Sequence, residues 1–307
     1  MNGRDHGGGL DAAAAQWGGT RADWLDLSTG INPVPYPVPS LSPDAWNALP
    51  DKGAQKRLIA AARQFWNVPS EAAILPAPGA SALIARMPAI APGAAYVEAP
   101  TYNEHAAAFA ALGRLATSPQ AATHIHVHPN NPDGRRFTAP LSARFTVIDE
   151  SFCDVTPLET RIQEAARPGV VVLKSFGKFW GLAGLRLGFA IAQPETLGQM
   201  PDLIGPWAVS GLALEIGVAA LSDQAWAETT RARLAQDTAR LDSLMAAHAT
   251  LVGGTPLFRL YDVRDAAAFQ ERLAKHHIWS RIFPYSKTWI RLGLPHPSRW
   301  FQLEAAL

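Results

Sequence analysis

The chain holds a single cysteine, Cys153, so no disulfide can form within it. It also lacks the ~18 uninterrupted apolar residues of a membrane helix, because its most apolar stretch, 82–97, is cut by Arg86, Pro88, Pro92 and Gly93. Charge of one sign is missing too. Lys and Arg number 27 against 26 Asp and Glu, which removes the electrostatic case for nucleic acid or an anionic membrane as partner. A small polar substrate fits that balance better. The opening MNGRDHGGGL has no apolar core of signal-peptide length. These absences lead us to expect a soluble protein in a reducing cytoplasm. Neither G-x-G-x-x-G nor G-x-x-x-x-G-K-[ST] occurs, which counts against nucleotide binding. There is no internal repeat, heptad run or low-complexity tail.

What is present suits a large and a small lobe: 307 residues, 48% of them hydrophobic, can bury a sizeable core. The first 40 residues are punctuated by glycine and proline, ending in Ile31-Asn-Pro-Val-Pro-Tyr-Pro-Val-Pro39. That string cannot be regular helix or inner strand, so residues 1–40 read as an extended arm. Short apolar runs at 94–97, 124–128, 144–148, 170–173 and 187–192 follow. They alternate with helical stretches at 54–65, 80–86, 104–112 and 158–166. Such alternation predicts an α/β layer with a mainly parallel sheet over residues 41–208. From Val209 a long Ala/Leu/Arg helical region runs to about His248. A strand at 256–260, a helix at 266–276, strands at 279–283 and 289–292 and a terminal helix complete a smaller α+β lobe, residues 209–307.

The segment richest in chemistry is Leu173-Lys-Ser-Phe-Gly-Lys-Phe-Trp-Gly-Leu-Ala-Gly-Leu-Arg-Leu-Gly188, a strand end followed by lysines, a hydroxyl and glycines. Burial and a neighbouring cation such as Arg186 disfavour a lysine's ammonium form, which is what an amine nucleophile needs near neutral pH. Pro76-Ala-Pro-Gly-Ala-Ser-Ala-Leu-Ile84 reads as a glycine turn opening a helix, whose N–H groups and dipole suit a phosphate. Phe145-Thr-Val-Ile-Asp-Glu-Ser-Phe152 is an apolar strand ending in carboxylates, and Pro129-Asn-Asn-Pro-Asp-Gly134 is an Asx and proline turn. His124-Ile-His-Val-His128 puts three imidazoles on one face of a strand, able in geometry to bind zinc. No cysteine or carboxylate supports it at a nearby spacing, and we expect no metal.

The string Ser175-Phe-Gly-Lys-Phe-Trp-Gly-Leu-Ala-Gly-Leu-Arg-Leu-Gly188 resembles the signature of class I/II, fold-type-I aminotransferases, particularly the histidinol-phosphate branch. The resemblance implies that fold: a large domain with a mainly parallel mixed sheet, a smaller α+β domain, and pyridoxal 5′-phosphate (PLP) as cofactor. It implies that Lys178, not Lys174, carries PLP as a Schiff base, and that Arg186 and Ser175 bind its phosphate with the backbone of Ala80 and Ser81. Arginine suits that task because its planar fork donates two parallel hydrogen bonds. Glu98-Ala-Pro-Thr-Tyr102 resembles the segment that stacks an aromatic ring, Tyr102, on the cofactor. The Pro129 loop matches the one whose asparagine, Asn131, meets the phenolic oxygen. By the same resemblance Asp149 pairs with the pyridine nitrogen, making the ring an electron sink. Glu150 takes a structural role. Thr288-Trp-Ile-Arg-Leu-Gly-Leu294 resembles the strand whose arginine, Arg291, grips the substrate carboxylate. Arg281 and Arg299 are further cations there, either able to meet a substrate phosphate, with surface arginine as the alternative. Gly177, where many relatives have serine, and Phe152, in place of a common tyrosine, depart from the pattern.

A second resemblance narrows the family. His6-Gly-Gly-Gly-Leu-Asp, Asp26-Leu-Ser-Thr-Gly-Ile-Asn-Pro-Val-Pro-Tyr-Pro37 and the ending Arg291-Leu-Gly-Leu-Pro are similar to the threonine-phosphate decarboxylases of cobalamin biosynthesis. That resemblance implies decarboxylation of L-threonine O-3-phosphate, a homodimer, and an arm placing Gly30 and Asn32 over the substrate, with Asn131, Arg291 and Arg299 also contacting it. Leu49 stands where a family tyrosine would reach the partner's cofactor phosphate. A histidinol-phosphate-type aminotransferase and a PLP-binding regulator remain as alternatives, because decarboxylation and transamination use the same residues and differ in which Cα bond is aligned.

Overall fold

A computed structural model describes residues 6–307; the first five residues of the expected arm lie outside the described residues. In chain order the strands are β1 (Leu25–Asp26), β2 (Ala73–Ala77), β3 (Ala95–Val97), β4 (Leu115–Ala116), β5 (Thr123–Val127) and β6 (Phe145–Asp149). They continue as β7 (Val170–Ser175), β8 (Gly188–Ala192), β9 (Thr250–Thr255), β10 (Phe258–Asp262), β11 (Ile278–Trp279), β12 (Arg281–Phe283) and β13 (Ser286–Gly293). The chain divides into two compact units. One comprises Pro35–Asn131 and Arg136–Glu228; the other comprises the residues up to Val34, Pro132–Arg135 and Thr229–Leu307.

The first unit is built on a seven-stranded sheet in the order β2-β8-β7-β6-β5-β3-β4. Neighbours pair in parallel from β7 through β6, β5 and β3 to β4, whereas β8 runs antiparallel to both β2 and β7. This is the mainly parallel mixed sheet expected. The run Val-Val-Val-Leu-Lys-Ser of β7 is buried almost throughout, as befits a central strand covered on both faces. Helices pack Leu83, Ile84, Met87 and Phe109 onto Ile125, Val147, Val171 and Ala190 to form its core. Their starts are chemically marked. Asp51 caps Lys52–Phe65 by accepting from Ala54 N, and Ser210 caps Gly211–Ser222 by accepting from Ala213 N. Ala80–Ile90 is different, because Gly79 at its N-cap supplies no side-chain bond.

The other unit holds a four-stranded antiparallel sheet, β12-β13-β10-β9, and the parallel pair β1-β11. The helix Ala266–Ala274 begins at Asp265, which accepts from Ala267 N and Ala268 N.

Several expected elements take another form. The arm contains a helix, Leu10–Trp17, whose Leu10 and Ala13 pack with Trp24 and Ala274. The strand β2 was not expected, since Pro76 argues against an inner strand; it is tolerated because β2 lies at the sheet edge. The helix expected at 158–166 is two 3₁₀ turns, Pro157–Glu159 and Ile162–Ala166. Between them Thr160 Oγ1 donates to Glu150 Oε2 at 2.6 Å and Arg161 N donates to Glu150 Oε1, a tie that a continuous helix could not make. The long helical region breaks at Asp223 into Gly211–Ser222 and Gln224–Met245. The strand expected at 256–260 is β10, which begins two residues later after a tight turn from β9, and the one at 279–283 divides between β11 and β12.

Candidate active site

Because β7, β6, β5 and β3 are parallel, their carboxyl ends share one edge of the sheet, the usual ligand-binding edge of α/β proteins. β2 reaches the same edge with its carboxyl end and β8 with its amino end, through the paired registers Ala77↔Gly188 and Ser175↔Gly188. The segments leaving that edge carry Ala80 and Ser81, Tyr102, Asn131, Asp149, Ser175, Lys178 and Arg186. All eight line one cavity of about 110 Å³, together with Ile84, Val127, Ser151, Phe152, Gly177 and Ala183. The eight residues were drawn from five separate stretches of sequence. A larger cavity of about 360 Å³ lies elsewhere in this unit, between Pro50–Lys52 and Pro206–Val209; Asp51 and Lys52 line it, but no hydroxyl or arginine side chain does.

One end of the cleft is built for an anion. Gly79 has φ +84°, and a Cβ on it would lie 2.6 Å from Arg186 Nη2, so glycine alone lets the guanidinium lie against the helix start. Gly188 is equally constrained, since its Cβ would meet Ala80 N at 2.3 Å. The leading N–H groups of a helix have no intrahelical acceptor, and the dipole adds positive potential there. With the hydroxyls of Ser81 and Ser175 they form a donor set that fits a phosphate. Arg186 Nη1 donates to Ala183 O at 3.0 Å, and Arg186 itself has a left-handed backbone, φ 54°.

Asp149 is buried at the carboxyl end of β6. His105 Nε2 lies 2.8 Å from its Oδ2, while Ser151 donates to Oδ1 from its N–H at 3.0 Å and its hydroxyl at 2.6 Å. Burial pushes this carboxyl up, but the His105 hydrogen bond and charge and the Ser151 bonds outweigh it, holding Asp149 below the usual carboxylate range. Such an acid stays anionic and suits a protonated ring nitrogen. Burial, helped by Glu104 and Asp149, raises the Tyr102 phenol, which is hydrogen-bonded to Ser81. The Lys178 ammonium lies 5.4 Å from the centroid of the Phe152 ring.

Lys174, four residues before Lys178, occupies a different environment. It is buried with Nζ 2.6 Å from Glu150 Oε2 and 3.4 Å from Asp154 Oδ1. Burial disfavours its charge, yet the two carboxylates overcome that and raise its pKa above the ordinary lysine value. Glu150 thus serves structure.

In the other unit, Arg291 on β13 is buried, and its Nη2 donates to Ser28 O at 2.8 Å. Burial and the nearby Arg281 lower its pKa to about 10. A Cβ on Gly293 would lie 2.3 Å from Thr29 O, so glycine permits the 27–29 segment to run beside β13, where Gly293 N donates to Leu27 O at 2.7 Å. Gly30 and Asn32 follow and are buried. Asn32 Oδ1 accepts from Arg233 Nη2 at 2.6 Å and from Val34 N at 3.1 Å. Arg299, expected among the substrate contacts, is engaged otherwise. Its guanidinium donates to Asp23 O, Trp24 O and Gln302 Oε1, tying the last helix to the 22–24 turn.

His124 and His126 of β5, and His128 just after it, also have separate partners. His124 Nε2 meets Pro119 O at 2.8 Å; His126 stacks on Phe137 at 3.6 Å, burial and His124 lowering its pKa to about 4; His128 Nδ1 accepts from Phe137 N. A buried group, His128, Glu150 and Cys153, brings ligand atoms within 4.8 Å of one another. However, His128 Nε2 is bonded to Glu159 O and Glu150 to Lys174, so these atoms already have protein partners. Sequence reasoning missed His105 and Ser151. Their signals were spacing alone: His105 one helical turn after Tyr102, and Ser151 two residues after Asp149.

Residues 117–299 match the aminotransferase class I and II family. A threonine-phosphate decarboxylase of Sinorhizobium sp is 40% identical, the match covering 94% of this chain and 92% of that protein. One from Pseudomonas aeruginosa is 37% identical over 99% of this chain and 97% of its own. Among solved structures, histidinol-phosphate aminotransferase from Sinorhizobium meliloti in complex with pyridoxal-5′-phosphate superposes with a TM-score of 0.80 at 19% identity, covering 98% of this chain and 93% of that one.

Proposed function

The chain belongs to the aminotransferase class I and II family, and from that premise we propose that it is a PLP-dependent carboxy-lyase acting on L-threonine O-3-phosphate. The products are carbon dioxide and (R)-1-amino-2-propanol phosphate, the aminopropanol precursor in cobalamin biosynthesis. The observation that carries this reading is full-length similarity, 40% and 37%, to two threonine-phosphate decarboxylases. The cleft supports the cofactor, because one cavity gathers a phosphate cradle, a lysine and an anionic carboxylate.

Bound PLP supplies the electron sink for the pair left at Cα when carbon dioxide departs. The protein's residues hold and protonate. We assign Lys178 as the residue that would hold the cofactor covalently, and its Nζ as the group that would return a proton to the substrate Cα. Asp149, fixed by His105 and Ser151, keeps the ring nitrogen protonated. Tyr102 would pack on the ring, Asn131 would donate to the phenolic oxygen, and Ala80, Ser81, Ser175 and Arg186 would hold the phosphate. Arg291 takes the substrate carboxylate, bidentate geometry favouring arginine, and Gly30 and Asn32 belong to the arm that covers the substrate. We also propose a cytoplasmic homodimer. No helix among the described residues is long and apolar enough to cross a membrane.

The test is to supply L-threonine O-3-phosphate and, separately, histidinol phosphate with 2-oxoglutarate, and to measure carbon dioxide and glutamate. Carbon dioxide from the first is expected. Free L-threonine should be a poor substrate, since charge-assisted hydrogen bonds of about 1.5–3 kcal/mol each are lost with its phosphate. Glutamate without carbon dioxide would establish the aminotransferase alternative instead. Binding of PLP without turnover of either would leave a regulator.

A further inference from the structure

Lys174 and Trp180 bracket Ser175 and Lys178 in sequence, and one buried acid holds both ends of that bracket. Asp154 Oδ1 accepts from Lys174 Nζ at 3.4 Å and from Trp66 Nε1 at 2.9 Å, while its Oδ2 accepts from Trp180 Nε1 at 3.2 Å. We propose that Asp154 is a positioning residue, which sets where Lys178 stands by fixing the segment on either side of it. The proposal rests on Lys178 being the cofactor lysine.

The packing explains why a carboxylate is required. Trp180 stacks on Phe176 and on Trp226, with centroids 5.0 and 5.4 Å away and 12° between planes in each case. Stacked rings resist tilting but slide and turn easily in their own plane, whereas a hydrogen bond at the ring edge stops that rotation. At the other end, Lys174 needs countercharge to remain buried, and Asp154 shares that task with Glu150. Glu150 directly follows Asp149, so the same ion cluster ties the strand end that carries the ring-nitrogen partner to the strand end that leads to Lys178. Between the two anchors, Phe176 and Phe179 are fully buried while Lys178 is half-buried at the cleft. The segment is therefore held on both sides of Lys178, whose side chain lines the cleft. Reaction rates are sensitive to such placement, a misplacement of about 1 Å costing on the order of a hundredfold.

The test uses the full chain loaded with PLP. Asp154→Asn preserves shape but removes the charge and presents an N–H donor where an indole or ammonium must be accepted. Its absorbance per bound cofactor should be retained, and the visible circular dichroism, which reports a ring held in one orientation, should fall by about half or more. The kcat should fall by about tenfold while KM for L-threonine O-3-phosphate stays within about threefold, because the damage is to alignment rather than to substrate binding. Trp180→Phe keeps the stack and removes only the N–H, so it should move both readouts the same way by less; it decides the matter if Asp154→Asn fails to fold. A lowered Tm with dichroism and kcat unchanged in both variants would mean a merely structural acid and overturn the proposal alone. A visible band that survives Lys178→Ala would overturn the cofactor reading and this proposal with it.

Discussion

Two lysines four residues apart in the same segment occupy opposite surroundings. Lys174 ends a buried strand between two carboxylates, 2.6 and 3.4 Å from its ammonium, which raise its pKa against the cost of burial. Lys178 stands at the cleft with its ammonium over the Phe152 ring and with Asp149, Ser175 and Arg186 lining the same cavity. An amine can attack a carbonyl only after giving up its proton, so a lysine locked by two anions is poorly suited as nucleophile. As residue types the two lysines are equally competent, and in the sequence only position within the aminotransferase-like signature selects Lys178. The fold makes one a strut and sets the other in the lining of the cleft.

The sharpest way to break this contrast is Lys178→Ala, which should abolish turnover and the covalent cofactor adduct. Borohydride reduction followed by peptide mapping checks it; PLP trapped on Lys174 in the variant would end the division of labour. Lys174→Met should instead act on stability. It leaves Glu150 and Asp154 buried without their cation, a loss of about 3–5 kcal/mol readable by denaturant unfolding. Because the folded-state pKa of Lys174 is raised, its stabilisation is fully present at neutral pH, below the unfolded value. It is lost only as pH climbs through the raised value. A Lys174→Met protein as stable as wild type at pH 7 would refute the strut.

Asp149→Asn tests the anionic side of the cleft. The amide keeps the shape beside His105 and Ser151 but cannot hold a ring nitrogen protonated. PLP should still bind while kcat falls about 10²-fold, the scale of one lost preorganised electrostatic contact. Turnover near the wild-type rate would remove Asp149 from the assignment.

Much of this contrast was legible in the residues, and what was not has identifiable physical causes. The apolar runs marking β3, β5, β6, β7 and β8 were visible because buried strands must be apolar, and Gly79 was visible as a turn opening a helix, whereas the close approach at Gly188 was not. The helix expected at 158–166 does not form as one piece: Leu158 is fully exposed, and the backbone between the two turns is drawn towards Glu150. Such a tertiary bond leaves no local trace. His105 was invisible for the same reason, as its partner Asp149 is 44 residues away. Arg299 looked like a substrate cation because charge is read from sequence, whereas the carbonyls that absorb its donors at Asp23 and Trp24 are not.

The smallest effect expected in this region is at Gly177, which separates Ser175 from Lys178 and stands where many relatives have serine. A Cβ there would lie 3.4 Å from Ala183 Cα and 3.6 Å from Ser175 Oγ, ordinary contact distances, so space does not require glycine. The backbone N–H of Gly177 already donates to Ser175 Oγ at 3.3 Å, and the lining of the cleft includes this residue. Gly177→Ser should therefore fold normally and add a hydroxyl on the phosphate side of Lys178. A net hydrogen bond contributes about 0.5–1.5 kcal/mol, so the dissociation constant for PLP should fall by roughly 2- to 13-fold with kcat little changed. Equilibrium dialysis of PLP against wild type and variant measures it. Weaker PLP binding in the serine variant would mean that the cradle of Ser175, Arg186 and the Ala80 helix start is already closed at this position, and that the strut and the nucleophile are separated by a spacer whose smallness matters.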